Sequence, residues 1–415
     1  MRYLSFIASL AIAAACALAQ TPPREFSVTP ERTDVVPDYL TQLLVPEATC
    51  AAVCDRHSLL VVGHHAKDGN HLAVFPLDPA GKPAAEPAWI SLPKPERLAA
   101  HANYPLGLLF HPRLPLLYVW QDVETLPKEQ QSEKNPAFAP WLEFDHLLIY
   151  AVKDGALELV HSGARGTGFH VGLGAGTVGL DFESRHLFVP NTRGETPEAG
   201  GLAYYALDDE GVPDEDLEEA SKKRPAAGID VGVGKNLARP KFRRIAPKKD
   251  VSCRDVPTGL GWYAGKEAVI MGGHMGCLMA DFHDGSLRRA WFDTTELATL
   301  GWAWIAAHPQ KPLLYMCLRD SRFAYSIGQV NGWVSLLPQK ATLAGTVSLQ
   351  GLPVVLTRQD KVAFGDAKGL QILGLAPDGK FNGTCTRIPL PAAVIRGMAY
   401  SEKHGRFYVA VDLKN

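Results

Sequence analysis

The chain has 415 residues, 46% of them hydrophobic and 21% charged, with a formal net charge of −2. That is enough apolar material for two or three small domains or one large repeat fold. Near-neutral charge excludes a global electrostatic field for nucleic acid or an anionic membrane, so any binding must come from a local patch.

Read from the start, Arg2 followed by "LSFIASLAIAAACAL" and Ala17-Leu18-Ala19 fits an export signal over residues 1–19. The apolar run is too short for an ordinary membrane span. Cleavage before Cys16 with lipid attachment is the alternative, but Ala13 stands where a larger aliphatic residue is usual. No later stretch is long and apolar enough to span a bilayer, so residues 20–415 are expected to form a single secreted or periplasmic domain, a monomer. Of seven cysteines, Cys50 and Cys54 lie on one β-like run, roughly 13 Å apart at 3.3 Å per residue and beyond disulfide reach. Cys253, Cys277, Cys317 and Cys385 have no CxxC spacing, so neither a zinc ribbon nor a haem attachment is indicated.

The segment "REFSVTPERTDVVPDYLTQLLVPE" holds short β-compatible runs and precedes the first of seven strand pairs. These pairs read "CAAVCDRHSLLVVG", "LGLLFHPRLPLLYVW", "VGLDFESRHLFVP", "LGWYAGKEAVIMGG", "WAWIAAHPQKPLLYMC", "PVVLTRQDKVAFGD" and "GMAYSEKHGRFYVAV". Each has two apolar, β-branched or aromatic runs around a tight turn, as strands buried on both faces do. After most pairs come a turn and a more amphipathic strand, and hairpin chemistry such as "DPAG", "KDG", "HDG" and "PDG". A unit of four antiparallel strands at about 45-residue spacing predicts the blades of a β-propeller, here seven. The last pair ends the chain, so the segment after the signal is expected to complete the last blade and close the ring.

The phrases "LLYVWQ", "HLFVPN", "LLYMCL" and "RFYVAV", each after His-Pro or an equivalent turn, resemble the seven-bladed propellers of the lactonase-like or Tyr-Val-Thr-Asn repeat class. The likeness covers nearly the whole mature chain and implies that fold, whose members include exported surface proteins and sugar-lactone hydrolases. It rests on packing motifs, and no lactonase catalytic motif matches.

His111 and His308, in the two His-Pro copies, are read as turn residues that satisfy backbone groups, with Pro fixing φ. In a propeller the candidate site lies elsewhere, where loops between second and third strands share a face with the interblade loops. The first set carries His64, His65, Asp122, Asn191, Arg193, His274, Arg319 and Arg322. The second carries His101, His170, Arg254, Asp255 and Arg396. His64, His170, Asp255 and His274 could furnish a divalent-metal site. Arg193, Arg319 and Arg396, with His64, His101, Asn191, Asp255 and His274 beside them, could hold a small anion. Independent loop caps and surface charges are the third reading. If the chain is an enzyme, His170 is the candidate base and Arg396 the group that orients an anionic substrate, with lactone hydrolysis as the reaction.

"GLGAGTVG" at 172–179 lacks the strand-then-helix context of a nucleotide loop and reads as an interblade loop. Insertions at about 121–145 and 208–250 interrupt the spacing. The first carries Phe138, Trp141 and Phe144 over the candidate face, either to pack the loop onto its own blade or to cover a ligand or meet an extracytoplasmic protein partner; the second changes from acidic to basic and is expected to be protease-sensitive. Hydrolase-elbow, zincin, P-loop and EF-hand motifs are missing, and Asn382-Gly383-Thr384 matches a glycosylation acceptor. Enzyme and binding module both stay open.

Overall fold

A computed structural model describes residues 24–26, 31–32, 36–66, 69–93, 103–123, 146–163, 179–180, 184, 186–191, 201–212, 243–245, 259–262, 268–273, 276–283, 286–292, 303–311, 313–318, 323–330, 333–334, 339–343, 353–366, 369–390 and 393–413. Apart from one 3₁₀ turn, Thr357–Gln359, the elements there are all strands.

Three N-terminal strands, β1 (Arg24–Phe26), β2 (Glu31–Arg32) and β3 (Leu40–Leu44), precede the regular pattern. The first sheet follows with β4 (Ala48–Cys54), β5 (Leu59–Ala66), β6 (Gly69–Pro76) and β7 (Ala88–Ser91). The second has β8 (Asn103–Phe110), β9 (Leu116–Val123), β10 (His146–Lys153) and β11 (Ala156–Gly163). The third has β12 (Gly179–Leu180), β13 (His186–Asn191), β14 (Gly201–Ala206) and β15 (Arg243–Ile245). β16 (Gly259–Trp262), β17 (Ala268–Gly273), β18 (Gly276–His283) and β19 (Ser286–Phe292) form the fourth. The fifth contains β20 (Ala303–Ala307), β21 (Leu313–Leu318), β22 (Phe323–Val330), β23 (Trp333–Val334) and β24 (Gln339–Thr342). The sixth contains β25 (Val354–Leu356), β26 (Lys361–Asp366), β27 (Gly369–Leu375) and β28 (Phe381–Pro389), and the last β29 (Ala393–Ser401) and β30 (Arg406–Leu413).

Within each sheet the chain-consecutive strands pair antiparallel, as the strand-turn-strand phrases predict, except that in the fifth the short β23 and β24 both pair with β22. The N-terminal segment adds a strand to the last sheet, as expected, and also reaches two others. β1 pairs parallel with β24, β2 parallel with β28, and β3 parallel with β30. It therefore runs along the outer edges of the fifth and sixth sheets before entering the last.

Apolar cores lie between sheets, because the second and third strands are buried on both faces. Alternate residues divide cleanly. Leu60 and Val62 pack with Ala399, Tyr408 and Ala410 in the seam between last and first sheets, while Leu59 and Val61 pack with Leu117 and Val119 in the seam toward the second. The innermost strands of last and first sheets come very close. A Cβ at Gly397 would lie 2.6 Å from the carbonyl carbon of Cys50 and 2.7 Å from the nitrogen of Ala51. At the opposite end of this seam the Asp55 carboxylate accepts from Ser401 Oγ and from the backbone N–H of Lys403 (3.0 Å).

The repeated phrase has a structural explanation. His111 Nδ1 accepts from the N–H of Arg113 (3.0 Å) and Leu114 (2.9 Å), and His308 Nδ1 from those of Gln310 (3.1 Å) and Lys311 (3.2 Å). Each histidine caps its own turn, as the sequence indicates. The tyrosine seven residues later, and its counterpart Tyr408 in the last sheet, have a longer reach. Tyr118 donates to Gly211 O (2.6 Å), Tyr315 to Gly379 O (2.6 Å) and Tyr408 to Gly81 O (2.7 Å).

In all three cases the acceptor is the glycine of the turn between third and fourth strands of the following sheet. These glycines have φ of +80°, +86° and +75°, and a Cβ there would strike Leu116, Leu313 or His404 within 2.7 Å, so both conformation and space call for glycine. Where Val61 replaces the tyrosine in the first sheet, the next sheet turns instead through Asp154-Gly155, both at positive φ, a two-residue hairpin with open space around the glycine.

Cys50 and Cys54 are separate free thiols, as their spacing requires; Cys317 and Cys385 are free as well.

Candidate functional site

The connection between β5 and β6 and the one between β3 and β4 meet at the same end of the first sheet. His64 Nδ1 is held by the carbonyl oxygen of Pro46, and His65 N–H donates to Glu47 O at 3.0 Å. In the last sheet, Arg396 near the start of β29 meets Asp412 near the end of β30, with Nη2 3.7 Å from Oδ2. In these two sheets the start of the first strand and the end of the second thus lie together at one end.

Arg396 occupies a β-bulge. Ile395 pairs with Val411 and Gly397 with Ala410, so Arg396 is the extra residue. Ala48 pairs with His64 and Cys50 with Gly63, which makes Thr49 the extra residue of β4 in the same way. Bulges re-aim a side chain out of the alternation and concentrate at sheet edges and binding sites. Because Gly397 abuts Cys50, these two bulges are neighbours on adjacent innermost strands.

The environment of Arg396 is polar but incompletely satisfied. At 3.7 Å the contact to Asp412 is beyond hydrogen-bond range. Arg396 Nε is buried and has no hydrogen-bond partner. A buried donor left unmade costs about 1–3 kcal/mol, more when charged, and an anion presented to it would recover that cost.

His64 lies on the first sheet's side of the same seam. It alternates with Leu60 and Val62, its cross-strand partner His71 with Ala73 and Phe75, and Asp412 with Tyr408 and Ala410, all of one core. The rings of His64 and His71 have centroids 5.7 Å apart, and Trp89 meets His64 edge-on at 5.0 Å. His65 points to the other side of the sheet and bonds Asn70 Oδ1 at 2.9 Å. The Cys50 thiol is pushed up to about 12 by burial, so it offers no thiolate here.

Comparison with known proteins bears on the scaffold. No protein-family model matches the chain, and no curated protein matches it. Among solved structures it resembles a chain of the mitotic checkpoint complex, at 12% identity over 94% of this chain and 95% of that one, with a TM-score of 0.51. A protein from Lactobacillus plantarum matches at 12% identity over 90% of each chain, with a TM-score of 0.50. A candidate 6-phosphogluconolactonase from Bacteroides uniformis matches at 12% identity over 82% of this chain and 83% of that one, with a TM-score of 0.47. At such identity the likeness is one of fold and does not transfer a ligand or a reaction.

Of the residues singled out in the sequence, the structure therefore brings His64 and Arg396 to one seam. Asn191 is the last residue of β13, paired with Gly201, at the corresponding end of the third sheet. His101, His170, Arg193, Asp255, His274 and Arg319 lie outside the described residues. Among the described residues no group of three or more His, Cys, Asp or Glu side chains is placed to hold a metal.

Sequence reasoning passed over a second polar group at the corresponding end of the sixth sheet. The Asp366 carboxylate, 3% exposed, accepts from Gln371 Nε2 at 2.9 Å and from Arg387 Nη2 at 3.3 Å. Gln371 is fully buried. The available signal was the single amide inside the apolar run "GLQILGL", which demands a buried partner.

Proposed function

We propose that the chain is an exported β-propeller whose seven blades close where the last sheet packs on the first, and that it binds a small anion at the face carrying Arg396. The resemblance of the strand-pair phrases, the seven described sheets and the contact of Gly397 with β4 support the ring. The observation that carries the binding reading is Arg396 itself. It is turned out of register by a bulge, only loosely paired with Asp412, and left with a buried donor unmet.

A guanidinium in this state suits a carboxylate or phosphate, which takes two parallel N–H donors. His64 and Thr49 lie beside it on neighbouring strands of the first sheet. Arg193, Arg319, His101, His170, Asp255, His274 and Asn191 are the further contributors that the ring would bring to this face. Lactone hydrolysis on the same face, with His170 as base, is the alternative.

The test is calorimetric titration and thermal shift of the full chain with sugar phosphates and with uronic and aldonic acids. Wild-type protein should respond to at least one class, and Arg396→Ala should lose the response at least about tenfold without a change in melting profile. A response of equal strength in Arg396→Ala, or none across the panel, overturns the assignment. Acid release from a lactone panel distinguishes turnover from binding.

A further inference from the structure

Arg396 and Asp412 lie on adjacent strands, and their charged ends approach without bonding, with Nη2 3.7 Å from Oδ2. Their side chains are 36% and 20% exposed, so a solute can reach both, while Arg396 Nε is buried with its donor unmet. An anion laid along the Nε and Nη2 edge of the guanidinium therefore comes close to the Asp412 carboxylate. Two like charges at that range repel unless a proton lies between them.

A donor on the carbon next to the ligand's anionic group supplies that proton. Bonds of about 2.8 Å to Nη2 and about 2.7 Å to Oδ2 then close a ring across the 3.7 Å gap, with neither strand moved. Histidines aside, the other charged side chain described at this end of the two sheets is the exposed Glu47, in the connection from β3 to β4. A dianion would meet one guanidinium against two carboxylates.

We propose that Asp412 sets the specificity of this site, and that its ligand is a monocarboxylate with a hydroxyl or ammonium group on the α-carbon, in preference to a phosphate. The carboxylate takes the parallel donors Nε and Nη2, and the α-substituent donates to Asp412. A carboxylate without that donor, or an anion of higher charge, leaves Asp412 facing a like charge. This rests on the reading of Arg396 as the anion-binding group and adds to it what must stand beside the anion.

Lactate, alanine and propionate share one carboxylate frame and differ in the α-substituent alone: hydroxyl, ammonium or hydrogen. In ligand-observed NMR titration of the full chain at neutral pH, lactate or alanine should bind at least about tenfold tighter than propionate. Inorganic phosphate should bind more weakly than the preferred acid. The tighter of lactate and alanine identifies the donor. Wild-type protein gives this ranking, so it does not hang on the folding of a variant. Asp412→Asn removes the charge and should tighten phosphate at least about fivefold. Asp412→Leu, of similar shape, removes the acceptor as well and should bring the three acids within about twofold of one another. Equal binding of the three acids to wild type, phosphate as tight as the preferred acid, or a ranking that persists in Asp412→Leu overturns the role of Asp412 and leaves the anion site of Arg396 standing. Binding of neither acid nor phosphate removes that site, and this inference with it.

Discussion

At the scale of single residues, His308 shows how one side chain fixes a pH dependence. Its Nδ1 accepts from two backbone N–H groups, so the ring must be neutral with its proton on Nε2. Burial, reinforced by the Lys311 ammonium, holds its pKa down to about 4. An unfolded chain protonates this ring near pH 6.5 and the folded one does not, so stability is full above that value and falls as pH drops from 6.5 toward 4. By pH 5 the loss should be roughly 1–2 kcal/mol. Denaturant melts at pH 7 and pH 5 check it: His308→Asn should lower stability at pH 7 but flatten its further decline. An unchanged slope in the variant would remove His308 as the cause. That His111 and His308 serve their own turns was legible, because proline and tight spacing confine an imidazole to local backbone. Arg396 was legible only as a charge in a loop, since a bulge is a property of two strands compared and cannot be read from one.

At the scale of elements, the tyrosine-to-glycine bonds explain why the repeat keeps its tyrosine. Donor and acceptor lie 64 residues apart for Tyr315 and 327 apart for Tyr408, so neither local pattern announces the other. Strands and hairpin turns were readable from alternation and Asp-Gly chemistry, which act over a few residues; the bond between sheets acts through the completed packing. Its trace was nonetheless present, in the coincidence of Tyr with a five-residue turn downstream and of Val61 with a two-residue one. The buried hydroxyl is kept protonated, since burial raises its pKa. Tyr408→Phe leaves the Gly81 carbonyl without this donor while preserving the ring's packing. The expected cost is about 1–2 kcal/mol, read as a shift in denaturant midpoint without a change in slope. Val61→Tyr, with no acceptor turn opposite, should not stabilise. A gain there would mean that packing, not the bond, is what the tyrosine contributes.

At the scale of the whole molecule, the N-terminal segment has two parts that should differ in consequence. β1 and β2 add short parallel strands outside sheets that already possess at least four, so they cover edges and bury little. β3 instead forms the third strand of the last sheet, and its apolar residues enter two seams: Leu40 packs with Phe407 and Val409 against the sixth sheet, while Leu43 and the following Val45 pack against the first. Burying each such side chain is worth about 1.5–3 kcal/mol, so the three together approach the net stability of an ordinary domain. Deleting residues 24–32 should therefore lower the melting temperature by a few degrees and leave one cooperative transition. Deleting 24–45 should expose the outer edge of β30, open the seam that carries Arg396 and His64, and abolish cooperative unfolding. Scanning calorimetry of the two truncations decides between them: a single transition of undiminished enthalpy in the longer deletion would show that the packing of the last sheet on the first does not depend on these strands.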